Sequence, residues 1–191
     1  IVRRAVALAR EARDSKPEWT DRYVAFDIGP TGKLLEPMGT LTFDEAYEAF
    51  AEAAQAAEEA GADLAVIETM SDLYELKAAV LAVKENTKLP VIASATFLDT
   101  NLMLTGAPPE TVVAVMEGLG VDAVGFNCGS SLENARLLAK AFVEAASIPV
   151  FMEPNAGIPV VENGKTVFKV APAEFAETLA WCASIGVRVL G

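Results

Sequence analysis

The stretch Gly61-Ala62-Asp63-Leu64-Ala65-Val66-Ile67-Glu68, residues 61–68, decides the fold class of this chain. A glycine ends a helical pattern, an aspartate precedes an apolar run, and the run stops at a carboxylate. Uninterrupted apolar runs of this length are typical of strands buried in a parallel sheet. The same order returns at Gly120-Val121-Asp122, which leads into a run that ends at Cys128. The repetition predicts successive βα units.

Helical and strand patterns alternate outward from that stretch in both directions. We predict helices over residues 1–15, 43–60, 72–85, 109–119 and 172–184, and strands over residues 23–28, 63–68, 91–97, 123–128, 150–153 and 187–190. Asn163-Gly164 predicts a type I′ turn between short strands at 160–162 and 166–168. Strands that alternate with helices indicate right-handed βαβ crossovers.

This alternation fits either an open doubly wound sheet or a (β/α)8 barrel. No Gly-x-Gly-x-x-Gly follows the first strand, which removes the simplest dinucleotide-binding interpretation. A barrel takes about 250 residues, and this chain has 191, with six main strands predicted. We therefore predict an α/β fold of TIM type over a single domain, residues 1–191. It would be an incomplete six-strand portion of a (β/α)8 barrel that lacks the first two strands.

Charge and composition narrow the classes of function. Fifteen basic against twenty-seven acidic residues give a net charge of −12, which disfavours nucleic acid and anionic membranes as partners. The apolar runs are far shorter than the roughly 20 residues of a membrane span. Two cysteines, Cys128 and Cys182, without a disulfide pattern indicate a cytoplasmic protein. The absence of histidine excludes histidine-based catalysis and histidine-ligated metals within this chain.

Polar residues stand where the predicted strands end. Because the carboxyl ends of parallel strands share one edge of the sheet, we expect these residues to meet at one site. They are Asp27, Glu68, Thr96, Cys128 and the pair Glu153 and Asn155.

Taken singly, each position keeps two interpretations. Glu68 either meets a cation, such as a ligand ammonium group, or forms a structural ion pair. Cys128 is either a thiolate nucleophile or metal ligand, or a buried small apolar residue. Cys182, within a helix, fits the buried alternative better. Asp27 either faces the pocket or caps the following loop.

The bend after the fifth main strand carries a similar choice. In Glu153-Pro154-Asn155-Ala156-Gly157, proline and glycine favour a tight turn that holds Glu153 and Asn155 over the barrel mouth. The alternative is an Asx turn beside a solvated glutamate.

The joint order of these motifs closely resembles the homocysteine S-methyltransferase family, and within it the homocysteine-binding barrel of cobalamin-dependent methionine synthases. The resemblance extends over nearly the whole chain. The motifs that carry it are Asp27-Ile28-Gly29-Pro30-Thr31-Gly32, Ile67-Glu68-Thr69, Asp72-Leu73-Tyr74-Glu75-Leu76-Lys77-Ala78-Ala79, Gly125-Phe126-Asn127-Cys128, Glu153-Pro154-Asn155-Ala156-Gly157 and Glu162-Asn163-Gly164-Lys165.

The resemblance implies a (β/α)8 barrel that binds zinc through three cysteines, with Cys128 as the first ligand and as the catalytic residue. The other two cysteines are expected beyond Gly191, and Cys182 does not replace them. A zinc-bound homocysteine thiolate is expected to attack the methyl donor. Glu68 is expected to bind the amino group of homocysteine. The pocket around it is expected to be shaped by Asp27, Asn127, Glu153 and Asn155.

The methyl donor stays open at this point, because the wider family uses methylcobalamin, betaine or S-methylmethionine. In a methionine synthase, cobalamin would be a second cofactor, and a methylcobalamin or methylfolate module would be the partner. The 191-residue segment alone is expected to be inactive. Two alternatives are a non-catalytic piece of the barrel that dimerises through exposed sheet edges, and a barrel that binds a pterin or folate.

Overall fold

The computed structural model describes residues 1–18, 21–129 and 131–191. Helices and strands alternate along the chain. They are α1 (Val2–Asp14), β1 (Ala25–Ile28), α2 (Phe43–Glu59), β2 (Leu64–Met70), α3 (Leu73–Asn86), β3 (Val91–Ala95), α4 (Pro109–Gly118), β4 (Ala123–Cys128), α5 (Leu132–Ala145), β5 (Val150–Pro154), β6 (Val160–Glu162), β7 (Lys165–Val167), α6 (Pro172–Ile185) and β8 (Val189–Leu190).

The main sheet is parallel throughout, with the strand order β1-β2-β3-β4-β5-β8. Strand order along the sheet follows strand order along the chain. A doubly wound sheet reverses direction at a switch point, whereas a barrel adds each new strand on the same side. The prediction of a six-strand portion of a TIM-type barrel is therefore confirmed. Strands β6 and β7 form a separate antiparallel hairpin.

One face of the sheet packs against the helices and forms the core. Along β2, Ala65 and Ile67 are fully buried in this core, whereas the intervening Val66 and Glu68 are partly exposed on the opposite face. Phe142 of α5 lies over the sheet, with its ring centroid 5.5 Å from that of Phe126 on β4. Small side chains let α2 and α3 pack closely together. The fully buried alanines of these two helices are Ala46, Ala54, Ala57, Ala78, Ala79 and Ala82.

The repeated glycine and aspartate have separate structural roles at the amino edge of the sheet. Gly61 has a φ of +88°, and a Cβ atom there would lie 2.6 Å from the Arg10 guanidinium. Asp63 accepts hydrogen bonds from the backbone N–H of Val24 at 2.6 Å and from Arg13 at 2.9 Å. Asp122 accepts the backbone N–H of Val91 at 2.8 Å in the same way. The repeated aspartate thus ties each strand to its neighbour.

Strand boundaries differ slightly from those predicted. Strand β1 begins at Ala25, and the Val24 N–H just before it donates to the Asp63 side chain instead of to a neighbouring strand. Strand β3 ends at Ala95, and Phe97 leaves the sheet to pack edge-on against Phe142. The hairpin has the predicted two-residue turn, with φ values of 51° and 74° at Asn163 and Gly164, but its second strand begins at Lys165.

Among the described residues, no helix combines the length and the apolar character that a membrane span requires.

Candidate functional site

Strand register gathers the acidic strand-end residues on the sheet face that the helices leave open. Asp27 of β1 is paired with Val66 of β2, and Glu68 follows on the same face two residues later. Asn127 of β4 is paired with Glu153 of β5. Gly191, just after β8, lies so close to Glu153 that an added Cβ atom would be 3.2 Å from the Glu153 Oε1 atom. The carboxylates therefore lie on one face of the sheet, near the carboxyl ends of its strands.

Three of these carboxylates influence each other electrostatically. The pKa of Glu68 is raised, first by burial and then by the negative charges of Asp27 and Glu153. A hydrogen bond from Thr69 acts in the opposite direction. Partial desolvation also raises the pKa of Asp27. Each shift has the sign expected for a carboxylate that loses water or meets another negative charge.

No protein cation compensates this charge within residues 1–18, 21–129 and 131–191. The ion pairs formed there by lysines and arginines involve other carboxylates, and none reaches Asp27, Glu68 or Glu153. A group of carboxylates held together without a cation is electrostatically unfavourable. The arrangement is therefore suited to bind a ligand that carries a positive charge.

The backbone leaves regular strand geometry beside these carboxylates. Thr69 and Cys128 have φ values of 60° and 61°, in the left-handed region that non-glycine residues seldom adopt. The pairing of β2 with β3 shifts register between Ile67 and Met70, which is the geometry of a bulge. As a result, the Thr69 hydroxyl lies 4.0 Å from the Cys128 Sγ atom. Such strained residues are concentrated at functional sites.

A buried amide holds Thr69 and Cys128 in place. The Oδ1 atom of Asn127 accepts hydrogen bonds from the Thr69 backbone N–H and from the Ser94 hydroxyl, both at 2.8 Å. Its Nδ2 atom donates to Thr69 Oγ1 at 2.6 Å and lies 3.5 Å from Cys128 Sγ. The amide of Asn127 is thus fully engaged by the protein. Asn127 shapes the site by holding Thr69 and Cys128 in position.

Asn155 borders the same site from the loop after β5. Its backbone N–H donates to the Cys128 carbonyl at 3.3 Å, and its Nδ2 atom donates to the Gly129 carbonyl at 3.1 Å. The bend after β5 is therefore attached to the turn after β4. Asn155 itself is exposed.

The donor set for a metal is incomplete in the described part of the chain. That part contains no group of three or more Cys, Asp or Glu side chains arranged to hold a metal ion. Cys182 is fully buried in α6, and burial raises the pKa of its thiol. As the sequence indicated, it does not join Cys128. One thiolate does not make a zinc site, because structural and catalytic zinc require three or four protein ligands.

The sequence did not identify two residues of this site, Thr69 and Ser94, as candidates. Thr69 follows Glu68 in the sequence, but nothing in the sequence there predicts its left-handed backbone conformation. Ser94 interrupts the apolar strand Val91–Ala95 and is fully buried, so a hydroxyl inside an apolar run was the available signal. Thr96 was expected at the end of β3. Its backbone N–H donates to the Met70 carbonyl at 2.9 Å, which extends the contact between β2 and β3 beyond the strand.

Comparison with known proteins gives a consistent family. The family model described as homocysteine S-methyltransferase matches residues 1–191. The methionine synthase of Mycobacterium tuberculosis is 33% identical over 199 residues, an alignment that covers 100% of this chain and 16% of that protein. The chain thus spans about one sixth of the length of such curated relatives, given that 16% coverage.

Solved structures agree with the fold. The homocysteine methyltransferase MmuM from Escherichia coli, in its apo form, matches with a TM-score of 0.80 and 24% identity, covering 100% of this chain and 66% of that one. Its metallated form matches with a TM-score of 0.78 and 25% identity over 64% of that chain.

Proposed function

The chain belongs to the homocysteine S-methyltransferase family, and from this premise we propose that it forms the homocysteine-binding part of a methyltransferase. The reaction is transfer of a methyl group to the sulfur of homocysteine to give methionine. A carbon–sulfur bond forms, the bond between the methyl group and its donor breaks, and the thiol proton of homocysteine is lost. The matched segment would supply six strands of the barrel that surrounds the substrate.

One observation carries the proposal: Asp27, Glu68 and Glu153 converge without a protein cation in the described part of the chain, next to Cys128. The ammonium group of homocysteine supplies the missing positive charge. Glu68 is the central member, because both other carboxylates act on its pKa. We assign it the contact with the ammonium group, with Asp27 and Glu153 on either side.

The sulfur end of the substrate would lie toward Cys128. Thr69 and Asn127 hold the Cys128 side chain through the contacts at 4.0 and 3.5 Å, and Asn155 closes the turn behind it. Cys128 is the ligand that this chain would give to zinc. Bound zinc deprotonates a coordinated thiol at neutral pH, which is the chemistry it would supply. The remaining ligands would have to come from residues outside the described ones.

The proposal also includes the methyl donor and the location of the protein in the cell. The curated relatives named methionine synthase extend far beyond the matched segment, which covers 16% of their length. We propose that a methylcobalamin or methylfolate module presents the methyl group, with cobalamin as the second cofactor. We place the protein in the cytoplasm, where its two free thiols stay reduced.

Zinc and homocysteine titrations test the proposal. Zinc content and homocysteine affinity should be measured on the 191-residue chain and on the protein extended at both ends. We expect one tightly bound zinc and homocysteine binding in the extended protein, and neither in the chain alone. Tight binding of one zinc by the chain alone would contradict the assignment of Cys128 as a single ligand. A response to tetrahydrofolate without a response to homocysteine would favour the pterin-binding alternative.

The open strands give a further test. In the part of the chain that the structure describes, the outer edges of β1 and β8 have no partner strand in the main sheet. Unpaired edges favour association with a second chain. We therefore propose that the isolated 191-residue chain dimerises, whereas the extended protein does not do so through these edges. Sedimentation velocity of the two proteins distinguishes the outcomes.

A further inference from the structure

Glu75 is a buried carboxylate that the proposed reaction does not use. It lies in the first turn of α3, with only 2% of its surface exposed. Its Oε1 atom accepts two hydrogen bonds from the same residue, one from the Thr31 backbone N–H at 2.7 Å and one from the Thr31 hydroxyl at 2.6 Å. Within the described ranges, no lysine or arginine forms an ion pair with Glu75.

Thr31 connects Glu75 to the loop after β1. The Lys33 backbone N–H donates to the Thr31 hydroxyl oxygen at 3.3 Å, so the hydroxyl accepts from the loop while it donates to Glu75. Thr31 and Lys33 are themselves exposed. The contact between Thr31 and Glu75 therefore attaches the exposed start of this loop to the body of the fold, ahead of Leu35, whose side chain is buried in the core.

The attachment joins the two segments that carry the central carboxylates. Asp27 lies on β1, four residues before Thr31, and Glu68 lies on β2, seven residues before Glu75. The strand pairing already joins β1 to β2, and the hydrogen bonds of Glu75 add a second connection between the two segments after their last paired residues. They restrict how far the end of β1 can move from the end of β2.

We infer that Glu75 is a positioning residue, which through Thr31 fixes the spacing of Asp27 and Glu68 for a substrate ammonium group. The inference rests on the proposed function. Stability alone does not explain a buried carboxylate at this position. Without a cation beside it, the carboxylate loses hydration that its two hydrogen bonds replace only in part. Its N-terminal place in α3 reduces that cost, since the helix dipole favours a negative charge there.

The test uses Thr31→Val in the protein that carries this chain, with Thr31→Ser as the conservative variant. Valine keeps the shape and removes the hydroxyl, whereas serine retains it. Thr42→Val is the matched control: Thr42 lies at the other end of the same loop, and its hydroxyl bonds to Glu45 at 2.9 Å in the capping box of α2. The control removes the same chemical group and leaves the contact between Thr31 and Glu75 intact.

The first measurement is the rate of tryptic cleavage after Lys33, followed by mass spectrometry. Loss of a hydrogen bond to a charged group corresponds to roughly a tenfold change in an opening equilibrium. We therefore expect cleavage to be about tenfold faster in Thr31→Val. Cleavage in Thr31→Ser and in Thr42→Val should match the parent protein. Equal cleavage in all four proteins would overturn the attachment.

The second measurement separates KM from kcat for homocysteine. We expect Thr31→Val to raise KM about fivefold with kcat little changed, because ground-state and transition-state binding of the ammonium group weaken together. Thr42→Val should lower the melting temperature and leave KM unchanged. Faster cleavage with an unchanged KM would leave Glu75 a purely structural residue and overturn the inference. Failure of the parent protein itself to bind homocysteine would instead remove the proposed function and the inference with it.

Discussion

The acids at the two edges of the sheet have opposite electrostatic environments. At the amino edge, Asp63 accepts a backbone N–H and pairs with Arg13 at 2.9 Å, and Asp122 accepts a backbone N–H with Lys84 at 4.0 Å. At the carboxyl edge, burial raises the pKa of Asp27, and burial together with the negative charges of Asp27 and Glu153 raises the pKa of Glu68. The same residue types are therefore neutralised at one edge and left unneutralised at the other.

The two edges of the sheet serve stability and function separately. In TIM-type barrels the amino edge serves stability, and the carboxyl edge carries the active site. The backbone of the strands follows the same division: among the described residues, the non-glycine strand residues with left-handed backbone are Thr69 of β2 and Cys128 of β4, and both lie at the carboxyl edge. Unfavourable charge and backbone strain persist there because the surrounding buried network holds them in place.

The largest expected effect comes from removing the thiol at the carboxyl edge. We expect Cys128→Ala in the extended protein to lower methyl transfer by roughly a thousandfold or more, since it removes a group that acts at the reacting sulfur. The melting temperature should change little. Cys182→Ala is the matched control, with activity kept and stability reduced by about 1 kcal/mol through a small cavity. Activity retained in Cys128→Ala would contradict the functional role assigned to the carboxyl edge.

A pair of alanine substitutions addresses the two edges directly. Asp63→Ala should lower the free energy of unfolding by about 2 kcal/mol, because it leaves the buried Val24 N–H without an acceptor. Asp27→Ala, at the opposite edge, should lower it by much less or raise it. Urea unfolding of both variants measures the difference. Equal losses at both edges would show that the carboxyl edge is not electrostatically strained.

Backbone strain at Cys128 predicts a smaller effect. Glycine adopts the left-handed region without penalty, whereas alanine does not. Cys128→Gly should therefore be more stable than Cys128→Ala by about 1 kcal/mol, although both lack the thiol. Thermal unfolding of the two variants decides the point, and a more stable alanine variant would mean that the left-handed geometry is not maintained.

The smallest expected effect is a pH-dependent stabilisation by Glu68→Gln. The folded-state pKa of Glu68 is raised, so the native state holds this proton more tightly and the parent protein loses stability as the pH rises through that pKa. At neutral pH, Glu68→Gln should be more stable by on the order of 0.5 kcal/mol. The difference should vanish below the ordinary glutamate pKa. Homocysteine affinity of the variant should fall, and an unchanged affinity would leave Glu68 with a structural role only.

The sequence predicted the fold well, because apolar runs, glycines and capping residues act locally. The capping box of Thr42 and Glu45 begins α2 as expected, and the repeated Gly-x-Asp motif precedes β2 and β4. Strand boundaries differ from the prediction where a residue distant in sequence contacts the end of a strand. The early end of β3 is such a case, since Phe97 packs on a helix 45 residues further along the chain, at Phe142.

The parallel α/β architecture, the family and the polar residues at the strand ends could all be predicted from the sequence, because periodicity and motif order are properties of neighbouring residues. The contacts between these side chains follow from the three-dimensional fold. The bulge before Met70 brought Thr69 toward Cys128, Asn127 became a fully bonded support, and Glu75 became attached to Thr31. These contacts depend on strand register and backbone twist across long sequence separations, which no local pattern specifies.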